Sequence, residues 1–125
     1  MSDEPDSLFD ASAVLAILFD EPGSARAREF LPARISAVNA SEVLTKLVQH
    51  GMTLDTAAAA LEALRLEVVD FTAVEAVEAV RFVRPGLSLG DRACLATARI
   101  LHATAVTADR SWRSHNLPVK LAVVR

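Results

Sequence analysis

"RISAVNASEVLTKL", residues 34–47, changes character halfway along, and that change sets the class of fold. "RISAV" reads as a short buried strand. From Asn39 onward the pattern is helical, with Asn39 opening the helix, Glu42 standing three residues on as its capping partner, and Gly51 closing it. Working outward, the same alternation of short apolar runs and helical patterns fills the chain. Before it come a strand at Ser7 to Asp10, a helix through "SAVLAIL" (12–18), a turn at "DEPGS" (20–24) and a helix from Ser24 to Leu31 that stops at Pro32.

After it, "TLDTAAAALEALR" (53–65) favours helix and "LEVVDF" (66–71) forms a third strand. Thr72 and Glu75 cap "AVEAVEAVRFV" (73–83), which Pro85-Gly86 ends. In "LSLGDRACLATARI" (87–100) the residues Leu89, Ala93, Ala96 and Ile100, with Leu101 beyond, recur at a helical period. A fourth strand "ATAVT" (103–107), a helical turn "RSWRS" (110–114) and a closing strand within "VKLAVV" (119–124) complete the series. Such alternation predicts an α/β fold around a mainly parallel five-stranded sheet, with the direction of the closing edge strand left open, antiparallel included.

The chain has 125 residues and 52% hydrophobic content, enough for one well-packed domain. The polar, acidic residues 1–7 read as a flexible lead. No apolar run has the length of a membrane span, and "MSDEPDS" lacks the basic and apolar regions of a signal peptide, so the expected compartment is the cytoplasm. The single cysteine, Cys94, reads as a buried small hydrophobe. A net charge of −3 supplies no general attraction for nucleic acid, so any such partner needs a local site built on metal ions or a few arginines.

In open parallel sheets ligands gather beyond the carboxyl ends of the strands. Four of the 16 acids are expected there: Asp10 after strand one, Glu42 and Asp91 in the first turns of their helices, and Asp109 after strand four. Capping explains each of them singly: Asp10 and Asp109 as N-caps, Glu42 with Asn39, and Asp91 with Ser88. It does not explain why all four fall at one edge. Carboxylates brought together repel unless a cation intervenes, and Mg2+ or Mn2+ suits an all-oxygen set. Zinc suits it poorly, since His50, His102, His115 and Cys94 show no ligand spacing. His50 and His102 instead fall near helix C-termini. Glu62, Glu67, Glu75 and Glu78 read as solvated surface, while Asp70, after strand three, stays open.

In order and spacing, "LFDASAVLAIL", "NASEVLTKL", "SLGDRACLATARI" and "AVTADRSW" resemble the four acidic motifs of the PIN domain, above all those of the VapC toxins of bacterial toxin–antitoxin pairs. The resemblance runs from about Leu8 to Val124. It implies a three-layer α/β/α sandwich, Mg2+- or Mn2+-dependent cleavage of RNA, frequent homodimers and inhibition by a cognate VapB antitoxin. By position it makes Asp10, Asp91 and Asp109 metal ligands, with Glu42 binding directly or through water. Ser12 and Thr107 match hydroxyl residues that orient these ligands, and Arg92 matches a VapC feature. The acidic lead departs from relatives that start almost at the first strand. Arg92, Arg110 and Arg113 are candidates for the RNA backbone, with solvated surface as the plainer alternative.

Two other readings compete. A signalling receiver domain would use Asp70 as phosphoacceptor and Lys120 as its partner, although such a site needs a second acid after strand one, where Ala11 and Ser12 follow Asp10. A non-catalytic interaction module would keep the fold and some of the acids.

Overall fold

The computed structural model describes residues 5–125. Five strands, β1 (Ser7–Phe9), β2 (Arg34–Ser36), β3 (Glu67–Val69), β4 (Thr104–Thr107) and β5 (Leu121–Val123), form one sheet in the order β3-β2-β1-β4-β5. Every neighbouring pair is parallel. The closing strand therefore runs parallel at its edge, because the turn between β4 and β5 carries the chain back to the amino end of the sheet before pairing resumes. The chain starts in the middle, moves out to β3, then returns to the other side of β1. That reversal puts the switch point between β1 and β4, where a parallel sheet opens its ligand crevice.

Right-handed crossovers fix which face each helix covers. The steps β1 to β2 and β2 to β3 go one way and lay α1 (Ala11–Leu18), α2 (Ser24–Arg28), α3 (Ala37–Gln49) and α4 (Leu54–Glu62) on one face. The return to β4 goes the other way and lays α5 (Ala73–Ala79) and α6 (Leu89–Leu101) on the opposite face. Adjacent strand residues point to opposite faces, so Phe9, Ile35 and Val106 join one core with Val14, Val43 and Leu47. Leu8 and Ala105 join the other, with Phe82, Leu95 and Trp112. The result is a three-layer α/β/α sandwich.

Several local expectations need correcting. β2 ends at Ser36, whose hydroxyl accepts from Val38 N at 3.2 Å and caps α3. "RISAV" is thus too long as a strand, and Asn39 is inside the helix rather than at its cap. A serine leaving a strand in extended conformation caps as well as asparagine does, and it comes three residues sooner. α2 is also shorter than Ser24 to Leu31. The predicted lead overlaps β1 at Ser7, and the Asp6 carbonyl accepts from Thr104 N at 2.8 Å, so tethering begins before residue 7. Residues 1–4 of that lead lie outside the described residues. The capping boxes Thr72/Glu75 and Ser88/Asp91 are both formed. Gly51 follows α3 at φ 103°, the conformation a helix-closing glycine adopts. Among the described residues no helix is long and apolar enough to cross a membrane.

Candidate metal centre

Asp10 follows β1 and caps α1, its Oδ1 accepting from Ala13 N at 2.9 Å. The hydroxyl of Ser12 donates to the same carboxylate at 2.8 Å, and that of Thr107, the last residue of β4, donates to its Oδ2 at 2.5 Å. Both hydroxyls accept in turn, Ser12 from Ala108 N at 2.9 Å and Thr107 from Asp109 N at 3.0 Å. Ser12 and Thr107 therefore lace the loop after β4 to the carboxylate after β1. Asp10 is only 3% exposed. Burial pushes its pKa up to about 6, against hydrogen bonds from Thr107, Ala13 and Ser12 that favour the ionised form; the nearby charge of Asp91 adds to the rise.

Asp109 caps the helical turn Arg110–Ser114, its Oδ1 accepting from Ser111 N at 2.9 Å. Asp91 completes its capping box by accepting from Ser88 N at 2.9 Å. Capping thus holds for three of the four acids. It fails for Glu42, because α3 starts at Ala37 and has no acid in its first turn. Glu42 stands one turn further in and accepts from Asn39 Nδ2 at 2.6 Å. With no helix end to satisfy, its placement is held by the Asn39 bond and not by capping.

Asp10, Glu42, Asp91 and Asp109 line one cavity of about 210 Å³ at the carboxyl edge of the sheet. Beneath it lies Cys94, fully buried, whose thiol pKa is raised by burial and by the charges of Asp10, Asp91 and Glu42. The donor set is entirely oxygen, which suits a hard divalent cation. As they stand, no group of three His, Cys, Asp or Glu side chains among the described residues is gathered closely enough to hold an ion. Each acid is instead turned to a nearby donor: Asp10 to Ala13 N, Glu42 to Asn39 Nδ2, Asp91 to Ser88 N and Asp109 to Ser111 N.

The other candidates separate from this cavity. Asp70 follows β3 at the far edge of the sheet and is exposed, while Lys120 precedes β5 and lines a different hollow of about 510 Å³ with Arg99 and His102. These two occupy opposite edges and opposite ends of the sheet, which removes the receiver arrangement. Arg110 lines a neighbouring hollow with Ser12 and Asp109. Arg92 folds back toward Ser88 O at 3.4 Å, and Arg113 reaches Val123 O at 3.5 Å. Glu78 is partnered by Arg81 and Arg99, at 3.1 Å each. Among the described residues the one cation lining the four-acid cavity is Lys46, which sequence reasoning missed. Its position four residues after Glu42, on the same helix face, was the available signal.

Thr107→Val keeps the volume and removes the hydroxyl. We expect it to cost about 1–3 kcal/mol in urea denaturation. The deficit should be larger at pH 8 than at pH 5, since the lost donor serves the ionised form of Asp10. A deficit independent of pH would show that the hydroxyl does not support the charge.

The model of the family described as PIN domain matches residues 7–116. No curated protein matches the chain. Among solved structures, a toxin–antitoxin complex from Klebsiella pneumoniae superposes with a TM-score of 0.75 at 19% identity, covering 95% of this chain and 98% of that one. VapBC2 from Rickettsia felis bound to a DNA fragment from their promoter gives 0.70 at 17%, covering 95% and 98%. VapBC-5 from Mycobacterium tuberculosis, a member of the VapBC family of toxin–antitoxin systems, gives 0.60 at 18%, covering 97% and 99%. At such identities the likeness speaks for the fold.

Proposed function

Because the chain belongs to the PIN-domain family, we propose that it is a Mg2+- or Mn2+-dependent endoribonuclease, the VapC-type toxin of a pair whose VapB-type antitoxin restrains it. One observation carries this reading above the family assignment: Glu42 lines the same cavity as Asp10, Asp91 and Asp109 although no helix cap requires it there. Four separate segments contribute an acid each to a space too small for anything but ions, water and part of a phosphate. The three solved structures of toxin–antitoxin type support the antitoxin as partner. The cytoplasm and a homodimer belong to the same reading.

A divalent cation, when bound, neutralises charge on the scissile phosphate and makes a water a better nucleophile. Asp10, Asp91 and Asp109 would hold it, with Glu42 binding directly or through water. Ser12 and Thr107 keep the Asp10 carboxylate fixed in orientation and favour its ionised form. Lys46, exposed and lining the same cavity, offers a positive charge suited to a non-bridging phosphate oxygen. Arg110, which lines the neighbouring hollow beside Asp109 and donates to Arg125 O at 3.2 Å, is the arginine proposed for the next phosphate, ahead of Arg92 and Arg113, which line neither hollow. Trp112 is buried and tyrosine is absent, which favours recognition through phosphates over extensive base stacking.

The test is end-mapping of cellular RNAs after brief expression of wild-type and Asp91→Asn protein. Discrete new ends with the wild type alone would support the reading and name the substrate. Identical end profiles would sink it. A non-catalytic interaction module would give no new ends and would bind no Mn2+.

A further inference from the structure

Asn39 is the largest buried polar side chain beside the acids that the metal reading leaves without a task. It is 1% exposed, in the first turn of α3. Its Nδ2 donates both protons, to Glu42 Oε1 at 2.6 Å and to Gly90 O at 3.0 Å. Both partners are acceptors, so the amide cannot be turned around. The Oδ1 is buried with no hydrogen-bond partner among the described residues. A side chain kept for stability alone would not leave a buried acceptor unpaired, since that costs about 1–3 kcal/mol.

Gly90 makes the complementary half. A Cβ there would come within 3.0 Å of all three atoms of the Glu42 carboxylate group. Glycine inside a helix costs about 1 kcal/mol relative to alanine, and here it leaves room for that carboxylate. The bond from Asn39 to Gly90 also ties α3, on one face of the sheet, to α6 on the other. Without this clamp Glu42 has an easy alternative, an ordinary i,i+4 surface pair with Lys46, and no such ion pair is formed among the described residues.

We infer that Asn39 is a positioning residue that aims the Glu42 carboxylate into the metal cavity, and that Gly90 keeps the space this requires. The inference rests on the proposed metal-dependent reading of the site. Asn39→Leu removes both donors at similar volume. Mn2+ affinity, measured by electron paramagnetic resonance on the full chain, should weaken about 10–100-fold, as expected when a partner orienting a ligand is lost. In a Glu42→Gln background the same substitution should change nothing further, because the carboxylate it aims is gone. A merely structural asparagine would lower stability and weaken binding by the same factor in both backgrounds, which overturns the inference. Wild-type affinity in Asn39→Leu overturns it too, and leaves the nuclease reading standing if Glu42→Gln alone weakens binding. No Mn2+ binding by the wild type would overturn both. Should Asn39→Leu fail to fold, Gly90→Ala tests the other half: its methyl should displace the carboxylate and weaken binding similarly, and not in the Glu42→Gln background.

Discussion

Asp10→Asn protein is expected to be more stable than the wild type in metal-free buffer at pH 8, and to cleave no RNA. The folded-state pKa of Asp10 is pushed from 3.8 up to about 6, first by burial and then by the charge of Asp91. An acid with a raised pKa in the fold holds its proton more tightly there than in the unfolded chain. Its contribution to stability is therefore fully present below pH 3.8 and is lost as pH rises through about 6. The loss is on the order of 3 kcal/mol at about 1.4 kcal/mol per pH unit. Asparagine still accepts from Ala13 N and carries no charge to bury, so above pH 6 it avoids that loss. Mn2+ should reverse the order: it should raise the melting temperature of the wild type at pH 8 and leave Asp10→Asn unchanged. Thermal melts at pH 5 and pH 8, with and without Mn2+, check all of this. Equal stabilisation of both proteins by Mn2+ would place the ion elsewhere.

Asp91→Asn should cost little stability, less than about 1 kcal/mol, because its amide oxygen can still accept from Ser88 N and complete the cap. Cleavage per folded molecule should nevertheless fall on the order of 10²-fold or more, the scale seen when one preorganised electrostatic group is removed from an active site. Single-turnover rates at matched folded concentration separate the two effects. A large stability loss with an unchanged rate would reduce Asp91 to a helix cap.

Capping and metal binding are not rivals in this fold. A carboxylate that begins a helix at the carboxyl edge of a parallel sheet faces both the free amides and the crevice, so the caps formed by Asp10, Asp91 and Asp109 are compatible with the metal role proposed for them. For that reason capping signals in the sequence could not separate the two roles. Glu42 separates them, but only once the start of α3 is known, and the sequence offered Asn39 as an equally good opening residue. The layers were legible because each apolar run is short and each helix carries one apolar face. The direction of β5 was not, since a five-residue helical turn is a weak sign of a crossover. Asn39 was legible only as a cap and Gly90 not at all, because their roles depend on the approach of α3 to α6, which local sequence does not encode; Lys46 was missed although its spacing from Glu42 was a local signal. Asp70 stayed open because strand order, which puts β3 at an edge, is invisible to a reading made strand by strand.

The most direct measurement is cleavage of end-labelled RNA by the purified wild-type protein across a Mg2+ titration, with the chemistry of the new ends determined. Saturable cleavage that vanishes in chelator is expected, leaving hydroxyl and linear phosphate ends, because water and not the ribose 2′-hydroxyl attacks. Cleavage that persists in chelator, or that leaves 2′,3′-cyclic phosphates, would contradict this mechanism.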